Sequence, residues 1–125
     1  MQEYSELKGK TRIKRIVNAT EYSLARFNSA YKHEAAFRQV VFMNLMLIPI
    51  TFIVDISRVE QALMIAVCFL AIFVELFNSA IEAVVDRVSL EKHPLSKNAK
   101  DMGSAAQFFS LAIIFFTWLL ILLPE

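Results

Sequence analysis

A chain of 125 residues that is 57% hydrophobic and 12% aromatic holds one domain's worth of sequence but too few polar residues to cover a water-soluble globule of that size. Its formal net charge of +1 gives no general attraction for nucleic acid, and one cysteine, Cys68 in the middle of an apolar run, excludes an intrachain disulfide framework. The composition predicts an all-α integral membrane protein, a single membrane domain over residues 1–125, with Cys68 as a small packing residue.

The N-terminal stretch MQEYSELKGKTRIKRIVNATEYS is charged and lacks an early apolar core, so it does not read as a cleavable secretion signal. Residues 11–39 follow helical periodicity. Ile13, Ile16, Val17, Ala19, Leu24, Phe27, Ala30, Tyr31 and Phe37 fall on one stripe opposite the Lys and Arg residues, which predicts an amphipathic surface helix lying in the membrane interface. A first transmembrane helix is expected over 40–56, where VVFMNLMLIPITFIV is short and carries Asn44 and Pro49. A second is expected over 60–86. A cytoplasmic loop over 87–103 contains the breaker LEKHPLSKN, in which Pro94 and Ser96 begin a lead-in to the third helix. The third span, 104–123, reads SAAQFFSLAIIFFTWLLILL without a charge, long enough for the ~30 Å hydrocarbon core.

Of the 13 Lys and Arg residues, eight precede residue 40 and four lie between 87 and 100, leaving only Arg58 elsewhere. Three spans put both basic clusters on one side, and the positive-inside rule makes that side the cytoplasm.

The second span holds an anomaly. Following the apolar run ALMIAVCFLAIFV, the stretch ELFNSAIEAVVDR places Glu75, Asn78, Ser79, Glu82 and Asp86 within one helical stripe about 100° wide. At ~1.5 Å per residue Glu75 lies about 10 Å deeper than Glu82, so one carboxylate is deep and one is near the boundary. Asn78 and Ser79 can serve merely to hold helices together, and Asp86 reads as the wet end of the helix, paired with Arg87. That bland account fails for Glu75. A carboxylate at membrane depth costs ~2.5 kcal/mol or more facing lipid, whereas Ser, Asn or Gln would make the same packing contact for less.

Two function classes use a deep and a shallow carboxylate. A small proton-coupled transporter needs little beyond a membrane glutamate, and it leaves Glu34, Glu91, Asp101 and the basic clusters unexplained. Phosphoryl transfer from a nucleotide to a lipid hydroxyl needs a base near the hydroxyl, carboxylates for Mg²⁺ at the boundary and cations for phosphate. With only Gly9 and Gly103, the chain has no glycine-rich phosphate loop of the P-loop or protein-kinase type. Nor is His33-Glu34 the start of a zinc motif, since Phe37 stands where the second histidine would be.

The strings RIVNATEYS (15–23), EAAFRQ (34–39), VELFNSAIEAVVDR (74–87) and HPLSKNAKDMGSAA (93–106) resemble the prokaryotic diacylglycerol kinases in collinear order, from about residue 12 to the end. The resemblance implies three transmembrane helices plus an amphipathic surface helix. It further implies a homotrimer in the bacterial inner membrane, with active sites shared between subunits and facing the cytoplasm. The implied reaction is MgATP-dependent phosphorylation of diacylglycerol to phosphatidic acid. Glu75 matches the general base, and Glu34 and Glu82 match the Mg²⁺ ligands. Asn78 orients the phosphate or the base, and Lys100 with Asp101 forms the family's KD pair. Arg15, Tyr22, Glu91, Lys92 and His93 match nucleotide-contacting positions; with Lys92 at its place, a charge contact replaces adenine stacking. Arg15, Ser23, Tyr31, Ala36, Phe37, Gln39, Ser104 and Trp118, beside Glu75, match positions lining the lipid substrate, although Tyr22, Tyr31 and Trp118 also suit interface anchors. An undecaprenol kinase of the same architecture would use the same carboxylates. EAAFRQ, VVDRV and KDMGSAA favour the diacylglycerol branch.

Overall fold

The computed structural model describes residues 2–125, with side chains described from Gly9 onward. The described residues form four helices, α1 (Gln2–His33), α2 (Ala35–Ile50), α3 (Arg58–Val88) and α4 (Pro94–Leu122). They divide into two compact units, one ending at Arg38 and the other covering Gln39–Glu125.

In the first unit, helical hydrogen bonding continues through the break at Glu34. The Glu34 N–H donates to the Ala30 carbonyl (2.9 Å), and the Arg38 N–H donates to the Glu34 carbonyl (3.1 Å). The Arg38 guanidinium donates to the carbonyls of Tyr31 (3.2 Å) and Lys32 (3.0 Å), placing positive charge on the C-terminal end of α1, where the helix dipole favours it. Phe37 is fully buried and meets Phe27 edge-on, with ring centroids 5.0 Å apart. The stripe residues Ile13, Ile16 and Leu24 remain exposed.

The second unit opens its long helices with strong caps. Ser57 and Glu60 form a reciprocal capping box, with the Glu60 N–H donating to Ser57 Oγ (3.1 Å) and the Ser57 N–H to Glu60 Oε1 (2.9 Å); this satisfies two orphan donors at the start of α3. At 31 and 29 residues and a mean hydropathy of 2.2, α3 and α4 are each long and apolar enough to cross a bilayer. The first expected span is shorter. α2 is apolar but stops at Ile50, one residue past Pro49, and the chain turns back with Thr51 Oγ1 donating to the Ile48 carbonyl (2.7 Å).

The expected loop over 87–103 contracts to the five residues 89–93, because α4 begins at Pro94. The start is set locally. His93 is the N-cap and its Nδ1 accepts from the Leu95 N–H (3.1 Å), while Pro94 at the first helical position has no N–H to leave unsatisfied.

The core gathers Met64, Val67, Cys68 and Ala71 of α3, Ile114 and Trp118 of α4 and Val40 of α2. Two buried polar groups tie it together. Trp118 Nε1 donates to the Met64 carbonyl (3.3 Å), and Asn44 Nδ2 donates to the carbonyls of Val40 (3.0 Å) and Cys68 (3.1 Å). Cys68 is a free, fully buried packing residue.

Candidate active site

The site is built on the seam between α3 and α4. On α4 the residues facing α3 recur at helical intervals of three, four and seven: Lys100, Gly103, Gln107, Ile114 and Trp118. As numbers rise along α3 their partners on α4 fall, from Met64 with Trp118 through Ala71 and Glu75 with Gln107 to Asn78 with Gly103 and Asp86 with Lys100. The two helices therefore run antiparallel through the site.

Glu75 is 5% exposed. Its Oε2 accepts from Gln107 Nε2 at 2.9 Å, and the same amide donates to the Ala71 carbonyl at 3.2 Å. The Ser110 hydroxyl lies against Gln107 Oε1 and against the Gln107 carbonyl (2.9 Å). Ionised, a carboxylate this deep is retained only with hydrogen-bond donors beside it, and α4 supplies one. A turn further along α3, Asn78 presses its side chain against Gly103, with Oδ1 buried and accepting no hydrogen bond.

Towards the other end of α3 the seam becomes wet. Glu82 is exposed, and Lys100 Nζ pairs with Asp86 Oδ1 at 2.8 Å. Asp86 therefore meets a lysine fourteen residues away rather than the expected neighbour Arg87. The sequence-adjacent Lys100 and Asp101 also part company, since Asp101 accepts from Lys97 one turn back on α4 (2.7 Å). Lys100 lies ahead of the apolar part of α4. The hydrogen bond that Lys100 donates to Asp86, and then the charge of that carboxylate, hold the Lys100 ammonium above the ordinary lysine range, with a smaller contribution from Glu82. Lys100 is thus a fixed cation at neutral pH.

Beside these pairs is an open cleft of ≈ 690 Å³, whose lining includes Asp86, Glu91, Lys92, His93, Lys100 and Asp101. Five of the residues expected to contact nucleotide, Glu91, Lys92, His93, Lys100 and Asp101, thus line one cavity. Among the described residues no three His, Cys, Asp or Glu side chains cluster as a closed metal cage. The Glu82 carboxylate is a hard oxygen donor without a thiol or imidazole beside it on the stripe, which fits a hard cation held chiefly by phosphate oxygens and water.

The other expected residues are distributed as follows. In the first unit Arg15, Tyr22, Tyr31 and Ala36 are exposed, Glu34 is half-buried, and the Ser23 hydroxyl donates to the Ala19 carbonyl (2.8 Å). In the second, Gln39 and Ser104 are exposed. Two residues expected against the lipid substrate, Phe37 and Trp118, are buried and make packing contacts within the chain. Gln107 and Ser110 were not singled out from sequence. The available signal was their polarity, three residues apart, inside an otherwise apolar span.

The comparisons agree with the collinear motifs. The family profile described as "Prokaryotic diacylglycerol kinase" matches residues 21–122. The chain is 67% identical over 119 residues to a diacylglycerol kinase of Pseudomonas aeruginosa, covering 95% of this chain and 97% of that protein. Over 108 residues it is 44% identical to the Haemophilus influenzae diacylglycerol kinase and 42% identical to that of Escherichia coli K12, covering 86% of this chain and 92% and 88% of theirs.

Proposed function

This chain belongs to the prokaryotic diacylglycerol kinase family, and we propose that it transfers the γ-phosphoryl group of ATP to the free hydroxyl of diacylglycerol, yielding phosphatidic acid and ADP. It is a membrane protein, with α3 and α4 both of spanning length. The carrying observation is the α3 stripe, which runs from buried Glu75 past Asn78 to exposed Glu82, beside the open cleft of mixed charge around Lys100.

Each residue has a defined task in this reaction. The lipid hydroxyl stands below the headgroup layer, where Glu75 takes its proton as the oxygen attacks the γ-phosphorus and the bond to the bridging oxygen of ADP breaks. Asn78, one turn from both Glu75 and Glu82, orients the reacting groups. Glu82 and, by family resemblance, Glu34 would hold Mg²⁺, which when bound neutralises charge on the β- and γ-phosphate oxygens. Lys100 faces the phosphates as an ammonium, and Glu91, Lys92, His93 and Asp101 line the nucleotide cleft; Arg15 and Tyr22 join them by resemblance. Ser23, Tyr31, Ala36, Gln39 and Ser104 are assigned to the lipid on the same basis. The reading includes three membrane spans with α1 as an interfacial helix, a homotrimer, and a catalytic face on the cytoplasmic side of the bacterial inner membrane, where the Lys and Arg residues concentrate.

The test is transfer of radiolabelled γ-phosphate from MgATP by the purified protein in mixed micelles, offered dioleoylglycerol and undecaprenol in parallel. Label in diacylglycerol is the expected result. Preference for undecaprenol would keep the chemistry and change the substrate, and label in neither lipid would return the carboxylate stripe to proton-coupled transport. Within the cleft, Lys100→Met is expected to raise the KM for MgATP about tenfold, in line with loss of a charge-assisted contact to phosphate. Lys97→Met, which removes a cation of the same cleft that is already paired with Asp101 on its own helix, is expected to change it less, about two- to threefold. Steady-state kinetics at saturating lipid separate the two.

A further inference from the structure

Gln107 stands out because α4 is otherwise apolar at its depth. It lies seven residues beyond Lys100, about 10 Å further along the helix, on the face that meets α3. The neighbouring residues Phe108, Phe109 and Leu111 point outward and are exposed. A glutamine in this setting must satisfy two donors and an acceptor away from water.

Its partners determine which end of the amide faces which group. Nε2 has two acceptors, Glu75 Oε2 and the Ala71 carbonyl, whereas Oε1 has a donor, the Ser110 hydroxyl. The reversed amide would bring its carbonyl oxygen against a carboxylate oxygen and a backbone carbonyl. The Ser110 hydroxyl suits either end of the amide, since it can accept from an NH₂ group while donating to the Gln107 carbonyl (2.9 Å), so Glu75 and Ala71 set the orientation. The amide is therefore committed as a donor to Glu75.

From this arrangement we infer that Gln107 is a positioning residue for the Glu75 carboxylate, held in its donating orientation by the Ala71 carbonyl and supported from its other end by Ser110. Gln107 transfers no proton. It limits rotation of the carboxyl group about its last torsion, so that the general base meets the lipid hydroxyl in one orientation rather than several. Small misplacements of reacting groups are expensive in rate, and a terminal carboxylate torsion is otherwise broad. The chain of action runs from Ser110 to Gln107 to Glu75. It rests on the assignment of Glu75 as the base.

The experiment is kinetic, on the full chain in mixed micelles, with Gln107→Met, Ser110→Ala and the double variant. Methionine keeps the length and bulk of glutamine while removing the donor. Gln107→Met is expected to lower kcat about tenfold, the lower range for loss of a hydrogen bond to a charged group, with the KM values for MgATP and diacylglycerol and the melting midpoint nearly unchanged. Ser110→Ala is expected to lower kcat about two- to threefold, and to add nothing in the Gln107→Met background, because its effect passes through Gln107. Additive losses, or losses that track melting, would make both residues structural and overturn the inference. So would a full kcat in Gln107→Met. Glu75→Gln run alongside separates the two levels. If that variant keeps its activity the base assignment itself has failed, whereas an inactive Glu75→Gln beside a fully active Gln107→Met removes only the role of Gln107.

Discussion

Glu75→Gln is expected to lower kcat by about 10²–10⁴-fold, the usual contribution of a positioned general base, without unfolding the protein. The geometry explains why the fold should survive. Gln107 Nε2 donates to Oε2 of Glu75 at 2.9 Å, and the carbonyl oxygen of a glutamine at position 75 can accept the same hydrogen bond. Substitution also replaces a buried ionisable group by a neutral one of equal size, which removes a desolvation penalty rather than adding one. The melting midpoint in micelles should accordingly stay level or rise, and binding of MgATP should persist, because the cleft around Lys100 and the exposed Glu82 lie further along α3. Glu82→Gln should behave differently, weakening MgATP binding together with turnover. Label transfer, a thermal melt and nucleotide binding measured on the same preparations distinguish these outcomes. A Glu75→Gln enzyme that transfers phosphate at the normal rate would sink the base assignment.

The two expected behaviours differ because the stripe crosses environments. Glu75 is enclosed between α3 and α4, whereas Glu82 two turns away reaches solvent. A buried carboxylate suits proton abstraction from a lipid hydroxyl, and an exposed one suits a hydrated cation arriving with a nucleotide. One helix carries both only because α4 covers the first and leaves the second open.

This part of the architecture was readable in the sequence, since helical periodicity places residues 75, 78, 82 and 86 on one face whatever they pack against. The partners on the opposite helix were not. Which α4 residue meets Glu75 or Asp86 depends on the antiparallel register of α3 and α4, set by the short 89–93 connection and by the helix start at Pro94. Reading 87–103 as a loop hid that register, and with it the pairing of Asp86 to Lys100 and of Glu75 to Gln107. His93 illustrates the same limit at short range. A loop histidine gives little away in sequence, yet here it caps α4 through Nδ1. Trp118 suggested an interface anchor by residue type, and only packing shows its indole N–H directed into the core at the Met64 carbonyl.

Gly103→Ala is expected to lower activity about 10- to 10²-fold while leaving stability almost unchanged, a combination that follows from what the added methyl would strike. A Cβ at position 103 would occupy the space of Asn78 Oδ1 and come within 3.1 Å of Asn78 Cγ, but it would remain 3.8 Å from Asn78 Cα. The last distance is ordinary van der Waals contact, so the helices need not separate. The conflict falls on the end of the Asn78 side chain, which can rotate away and already accepts no hydrogen bond at its buried Oδ1. Replacing glycine by alanine within a helix also contributes roughly 0.5–1 kcal/mol of favourable backbone entropy, which offsets the cost of the rotated side chain. What changes is the position of Asn78 between Glu75 and Glu82, and displacing a group that orients reactants by about 1 Å can reduce a rate about 10²-fold. The decisive comparison is with Asn78→Ala. If Gly103 acts through Asn78, adding Gly103→Ala to Asn78→Ala should cost no further activity, because the colliding side chain has already gone. Independent, multiplying losses would show that the methyl forces α3 and α4 apart, and a large fall in melting temperature for Gly103→Ala alone would show the same.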